Sequence, residues 1–361
     1  MNIAQIAPLI ESVPPRLYGG TERIVSYLTE ELVIQGHDVT LFASGGSVTS
    51  AKLVPCGPHA LRLDPTVRDP IPYYMLMLNK VREMVSRFDV LHFHIDQFHF
   101  PLFSGTSSRT VTTLHGRQDL PDLKPLYAGF PGMPLVSISE AQRFPIADAN
   151  FAGTVYHGLP TNLLTPSSHA SGGYLAFLGR ISPEKRVDRA IEIARAVGLP
   201  LKIAAKVDRA DQAYFDTEIR PLLELPGVEF IGEIDEQGKC QFLGNALGLL
   251  FPIDWPEPFG LVMIEAMACG TPVLAFRNGS VAEVIEDGVT GHIVETVAEA
   301  ILKVGSLIRL DRGRVRRRFE ERFTSARMAR DYVSVYQSLL RVSTRCRPLD
   351  GRLILVPALA G

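Results

Sequence analysis

Asn2-Ile-Ala-Gln-Ile-Ala-Pro-Leu9, Glu11-Ser-Val-Pro-Pro-Arg-Leu-Tyr-Gly-Gly20 and Val39-Thr-Leu-Phe-Ala43 decide how this chain folds. The first and third are short apolar runs of the kind that form buried strands, and the second is turn-rich. Between them Ile24, Leu28 and Leu32, with Val25 beside them, recur at helical spacing. Thr21 is the expected N-cap of that helix and Gly36 its expected C-terminal stop. Strand, loop, helix and strand in this order open a parallel α/β sheet.

The alternation continues outward. Val90–Ile95, Thr110–Leu114, Pro134–Ile138 and Gly153–Tyr156 read as strands, and Tyr73–Val85 as a helix. Pro166-Ser-Ser-His-Ala-Ser-Gly-Gly173 is small, polar and turn-prone, the composition of a linker. Beyond it Tyr174–Leu178, Leu201–Ala205, Val228–Ile231, Leu247–Ile253 and Pro272–Phe276 repeat the strand pattern, with a helix over Val187–Val197. The expected organisation is a first α/β domain over 1–165, a linker over 166–173 and a second over 174–327. The crevice at the strand carboxyl ends is the default ligand site.

With 361 residues the chain suits two domains. Its 46% hydrophobic and 21% charged residues exclude a disordered or collagen-like chain, and a net charge of −2 provides no field for nucleic acid. Cys56, Cys240, Cys269 and Cys346 form no CxxC, which argues against zinc ribbons and redox centres. No apolar run approaches the ~20 residues of a membrane helix, and Glu11 and two prolines interrupt the N-terminal apolar segment. The expected setting is the cytoplasm.

The chemistry concentrates in Glu257-Pro-Phe-Gly-Leu-Val-Met-Ile-Glu265-Ala-Met-Ala-Cys-Gly-Thr-Pro-Val-Leu-Ala275. A helix starting near Phe259 places Glu257 before it and Glu265 inside it, on the order of 10 Å apart. A retaining glycosidase pair stands ~5 Å apart, so these carboxylates are better suited to gripping opposite ends of an elongated hydroxylated ligand. The free N–H groups of Phe259, Gly260 and Leu261 suit oxygen atoms. Gly19 and Gly20, between strand and helix, allow close backbone approach to a phosphate; the plainer reading is a tight turn. Arg180 and Lys185 end a strand and open a helix, where they either face a diphosphate or are surface charge. No GxGxxG fingerprint and no Asp-x-Asp pair occurs.

The Glu257–Glu265 segment resembles the E-x7-E signature of retaining GT-B glycosyltransferases of the family 4 type. Tyr18-Gly-Gly-Thr-Glu22 is similar to that family's N-terminal glycine loop. Leu178-Gly-Arg-Ile-Ser-Pro-Glu-Lys185 is similar to its phosphate-binding segment, and Val228-Glu-Phe-Ile-Gly-Glu-Ile234 to its base-contacting loop. The resemblance covers nearly the whole chain. It implies a GT-B fold, two Rossmann-like domains facing each other across a cleft, with the helix from about 328 onward packing back on the first domain.

The resemblance also implies roles. Glu265 would bind ribose hydroxyls, Glu257 sugar hydroxyls, and main-chain groups of Gly232, Glu233 and Ile234 the base. Arg180 and Lys185 would stabilise the leaving diphosphate in place of a metal, and His115, at a strand end, would contact the donor sugar. UDP-glucose is the preferred donor on family frequency, with no metal or cofactor, and the acceptor is unassigned. Two departures stand out: His157-Gly158 occupies the place of a common Asn-Gly, and Arg186 that of a frequent glycine.

His92, His94 and His99 form an H-x-H-x4-H run. A zinc site is conceivable, but strand-end histidines near the crevice are the plainer reading. His94 and Asp96 are candidates for the acceptor pocket. Arg312, Arg314 and Arg316–Arg318 form a basic helix whose expected role is a solvated face rather than a membrane contact, because Glu320 and Glu321 follow and no apolar anchor accompanies it. Two further readings are a nucleotide-sugar epimerase of the same architecture and a non-catalytic nucleotide-sugar binder; a pyridoxal phosphorylase would need a longer chain.

Overall fold

The computed structural model describes residues 1–16 and 19–345. Leu17, Tyr18 of the glycine-loop stretch, and residues 346–361 with the apolar tail Leu353–Leu359 lie outside the described residues. Seven parallel strands build the first sheet: β1 (Asn2–Ile6), β2 (Asp38–Ala43), β3 (Lys52–Pro55), β4 (Val90–Phe93), β5 (Thr110–Thr113), β6 (Leu135–Ser137) and β7 (Phe151–Thr154). Six build the second: β8 (Leu175–Ile181), β9 (Leu201–Val207), β10 (Val228–Gly232), β11 (Gly248–Phe251), β12 (Val273–Phe276) and β13 (Gly291–Val294). The orders are β3-β2-β1-β4-β5-β6-β7 and β10-β9-β8-β11-β12-β13. Each order reverses once, beside β1 and β4 in the first sheet and beside β8 and β11 in the second, the Rossmann arrangement.

Central strands are buried on both faces, as β4, β5, β11 and β12 are throughout, which is why they read as continuous apolar runs rather than alternating ones. Two strands escape a reading by pattern. β3 is a half-exposed edge carrying Lys52 and Pro55. β13 begins Gly291-His292, and Gly291 is required because a Cβ there would overlap the Val273 backbone of β12.

Helix boundaries differ from expectation at two places. The first helix is Gly20–Ile34 with Gly19 at the cap position and no side-chain cap, so Thr21 lies in its first turn. Its end is as read: Gly36 has φ 83°, its N–H bonds to Val33 O, and the His37 N–H reaches Leu32 O, a Schellman stop. The second difference is at Leu261–Ala268. That helix begins two residues after Phe259, because Gly260 takes φ 76° and turns the chain first.

The last helix, Ser325–Arg345, lies against the first sheet's domain. The Tyr332 hydroxyl pairs with Thr113 Oγ1 at 2.9 Å, the Tyr336 hydroxyl donates to His92 Nδ1 at 2.7 Å, and Ser325 donates to Glu31 at 2.7 Å. The chain therefore passes between the domains twice, at 155–174 and near Thr324, where Leu159 and Thr324 bridge.

The basic helix Arg312–Arg322 corrects the expectation of a solvated face. Arg312 donates to the carbonyls of Ser167 (2.9 Å), Gly244 (2.8 Å) and Ala246 (2.9 Å). Buried Arg316 donates to the carbonyls of Thr161 (2.6 Å), Leu164 (2.9 Å) and Ala268. These two side chains satisfy backbone acceptors that irregular segments leave over, and so fasten the linker to the second domain. Arg314 and Arg317 face solvent. Among the described residues no helix is long and apolar enough to cross a membrane.

Arg316→Ala takes the donor from the buried carbonyls of Leu164 and Ala268 and from that of Thr161, and is expected to lower stability by about 3 kcal/mol. Arg314→Ala is expected to change it by less than about 0.5 kcal/mol. Denaturant titration of both variants checks the difference; equal effects would contradict this role of Arg316.

Candidate functional site

Loops leaving the carboxyl ends of strands in the two sheets meet here. Those after β1, β3, β5, β6 and β7 come from the first domain, and those after β8, β10 and β11, with the end of β9, from the second. They enclose two adjoining cavities, one of about 250 Å³ and one of about 340 Å³. Gly19, Gly20, Glu257, Gly260 and Leu261 line both.

In the first cavity each carboxylate of the Glu257–Glu265 pair holds its own lysine. Glu257, only 9% exposed, is ion-paired with Lys185 and accepts from the Trp255 indole N–H at 3.1 Å; Lys185 lies 5.0 Å from the Trp255 ring centroid. Glu265, 4% exposed, takes Lys239 at 2.8 Å. Both charges are compensated, as buried carboxylates require. Arg180 is held by Glu184 at 2.6 Å, with Asp208 and Asp211 each at 3.6 Å. Arg23 reaches from the first domain to an ion pair with Glu236 of the second.

Local backbone explains this placement. Asp254 N–H donates to Glu184 O at 2.8 Å, tying the loop after β11 to that after β8. Ser280 fixes the Glu257 turn from beneath: its N–H meets Glu257 O at 3.0 Å and its hydroxyl Phe259 O at 2.9 Å. Gly279, with φ 55°, lies so close that a Cβ would overlap the Glu257 backbone. Gly232, with φ 76°, turns the chain after β10, and Glu233 and Ile234 then line the cavity while Gly232 does not.

His115 lines the second cavity, beside Glu257 and Phe259. Its tautomer follows from its neighbours. Gln5 Oε1 is an acceptor 2.7 Å from His94 Nε2, so that nitrogen carries the proton and His94 Nδ1 is an acceptor. His115 Nε2, 2.8 Å from His94 Nδ1, must then donate. His115 Nδ1 is left as a bare acceptor, buried and without a hydrogen-bond partner. The His115 ring stacks on His157 at 5.3 Å and 17°, and His157 meets Phe259 edge-on at 5.0 Å. Burial pushes His115 down to about 3 and His94 and His157 well below the usual range, so all three are neutral at pH 7.

The expected acceptor residues are placed differently. His94 is 3% exposed, lines neither cavity and stands behind His115. Asp96, at φ 50°, is exposed and also lines neither. His92 and His99 hydrogen-bond to Thr113 (2.7 Å) and Thr112 (2.9 Å), and among the described residues no three His, Cys, Asp or Glu are grouped to hold a metal. Lining residues that motif spacing did not reveal are Arg23, Lys206 and Lys239 in the first cavity and Glu11, Arg62 and His157 in the second. Of these only His157 carried a signal, as a departure from the family's Asn-Gly.

The comparisons agree with this architecture. The family model "Glycosyltransferase Family 4" matches residues 18–152 and "Glycosyl transferases group 1" matches 168–323. N-acetyl-alpha-D-glucosaminyl L-malate synthase of Bacillus anthracis is 26% identical over 90% of this chain and 95% of its own. Phosphatidyl-myo-inositol mannosyltransferase of Mycobacterium tuberculosis is 26% identical over 95% and 96%. Among solved structures AviGT4, involved in avilamycin A biosynthesis, superposes with a TM-score of 0.71 at 25% identity, covering 94% of this chain and 98% of that one. The sucrose-phosphate synthase of Thermosynechococcus elongatus shares the fold with a TM-score of 0.73 at 18% identity, covering 94% and 99%. The protein is a glycosyltransferase of the GT-B fold, and within that class it belongs to family 4.

Gly279→Ala, which touches no ligand, is expected to shift the Glu257 loop and lower kcat/KM about a hundredfold, with the melting temperature as control; unchanged kinetics would contradict the loop's dependence on Ser280 and Gly279. A pH prediction follows from the depressed histidines. Their stabilising contribution is full above the unfolded value of about 6.5 and is lost as pH falls below it, because only the unfolded chain takes the protons. Each contributes up to about 1.4 kcal/mol per pH unit. Melting temperature should therefore fall steeply from pH 6.5 to 5; a flat profile would contradict neutral burial.

Proposed function

We propose that the protein transfers a hexosyl group from a nucleoside diphosphate sugar to an acceptor hydroxyl, with retention at the anomeric carbon and without a metal. UDP-glucose is the donor we favour, on the family's commonest usage. The observation that carries this reading is that one cavity gathers Glu257, Glu265, Arg180 and Lys185 between the domains, while Glu257 also lines a second cavity that leads to the first domain.

In this reading Glu265 holds the ribose hydroxyls and the backbone at Glu233 and Ile234 the base. The diphosphate takes Lys185 and Arg180 from their carboxylate partners. Lys185 thus moves its charge from Glu257 to phosphate, freeing Glu257 for the sugar hydroxyls. The bare Nδ1 of His115 accepts from another sugar hydroxyl. The bond from the anomeric carbon to the phosphate oxygen breaks and one to the acceptor oxygen forms on the same face. The acceptor's proton passes to the departing phosphate oxygen. Positioning and charge stabilisation supply the rate. The adjoining second cavity favours transfer over epimerisation of the donor alone, which needs no second chamber, and the complete set of charged partners speaks against a binding protein without turnover.

Thermal shift with a panel of nucleoside diphosphates, in EDTA, tests donor binding; at 100 times Kd one of them should add about 2.7 kcal/mol. Glu257→Ala should then lower turnover by about two to three orders of magnitude with nucleoside diphosphate binding retained. Turnover that survives the substitution would refute the sugar contact, and turnover that requires added divalent metal would refute the metal-independent mechanism.

A further inference from the structure

The two cavities differ in charge. Five cationic side chains face the first (Arg23, Arg180, Lys185, Lys206 and Lys239) against three carboxylates. The second reverses the balance. Among its described lining residues Arg62 is the one cation, facing Glu11, Glu22 and Glu257. Arg62 is ion-paired with Glu11, and Lys185 with Glu257. Glu22, 6% exposed, is left as the excess charge. Burial raises its pKa, and the negative charge of Glu11 acts in the same direction. The imidazoles beside it are neutral and add no positive charge.

A second feature points to a ligand. His157 is 3% exposed and lines this cavity, yet its Nδ1 is buried with no hydrogen-bond partner. Buried polar atoms in folded proteins are nearly always paired, so a partner from outside the chain is called for. A neutral imidazole and a carboxylate both accept hydrogen bonds from hydroxyl groups. A carboxylate repels a phosphate or a second carboxylate, and a neutral imidazole brings no charge to offset that repulsion.

We infer that the acceptor entering this cavity is an uncharged polyhydroxyl compound of the saccharide or cyclitol class, its hydroxyls recognised by Glu22 and His157, and that acceptors bearing phosphate or carboxylate at this end are rejected. This rests on the glycosyl-transfer reading above and narrows it. It also separates this chain from the relative named for transfer to malate, whose acceptor is a dianion.

The test uses the whole protein and the donor found by thermal shift. Transfer is measured to matched pairs: methyl glucoside against glucose 6-phosphate, inositol against inositol 3-phosphate, and glycerol against malate. The expected result is a kcat/KM at least about tenfold higher for the uncharged member of each pair, the discrimination one unpaired charge can impose. Glu22→Gln should raise KM for the best uncharged acceptor about tenfold, narrow the discrimination against its phosphorylated counterpart, and leave nucleoside diphosphate affinity unchanged. His157→Asn, which keeps a polar group, should retain more activity than His157→Phe. Preference for the phosphorylated or carboxylated members, or transfer to no uncharged member, overturns the inference. Donor binding read by calorimetry keeps the two levels apart: binding with anionic preference sinks only the acceptor class, whereas absence of binding sinks the transfer reading with it.

Discussion

In a parallel sheet whose strand order reverses, the loops leaving the two strands at the reversal run in opposite directions and open a gap that no side chain of the sheet fills. The first part of the site lies around two such gaps turned toward each other. The loop after β1 presents Gly19 and Gly20, with His115 from the loop after β5 beside it; β8 and β11 present Arg180, Lys185 and Glu257. The remaining structure holds the two gaps face to face. Gly158 allows the chain to pass against Thr324, Arg312 and Arg316 fasten the linker, and the helix Ser325–Arg345 returns to the first sheet.

Electrostatics then determines what the gap contains. Buried carboxylates need partners, and in this cleft the partners are the cations that a diphosphate would claim. Glu257–Lys185 and Glu265–Lys239 therefore compensate the two buried carboxylates. In the proposed reading a phosphate that takes Lys185 would release Glu257, which would couple diphosphate binding to sugar recognition through one ion pair. The Arg23–Glu236 pair joins the domains across the same cleft.

The histidine layer is organised by a different rule. Desolvation holds these rings neutral, and a neutral imidazole has one donor and one acceptor. A single amide, Gln5, sets the direction of the chain that passes through His94 to His115. Tyr336 and Tyr332 from the returning helix complete the hydrogen bonds of His92 and Thr113. The C-terminal helix thus supports the floor of the site as well as the domain it covers.

Local pattern made much of this legible. Apolar runs of four to eight residues located eleven of the thirteen strands, and Gly36 marked a helix end, because burial on both faces and a left-handed stop leave their mark in neighbouring residues. Glu257, Glu265, Arg180, Lys185 and His115 were legible as motifs. Residues that matter through partners distant in the chain were not. Lys239 meets Glu265 across 26 positions, Arg316 meets Leu164 across 152, and Tyr336 meets Gln5 across 331. His94, a strand-end histidine expected at the acceptor pocket, lies behind His115, since only sheet packing determines which of two neighbouring side chains reaches the cavity. The charge contrast between the two chambers is likewise invisible along the chain, where Glu11, Glu22 and Arg62 are unremarkable. The sequence by itself determined two α/β units and the Glu257–Glu265 motif, because these depend on periodicity and spacing. Only the tertiary structure decided which charges face one another across the cleft, because the sign of a cavity is a sum over loops that meet only when the domains do.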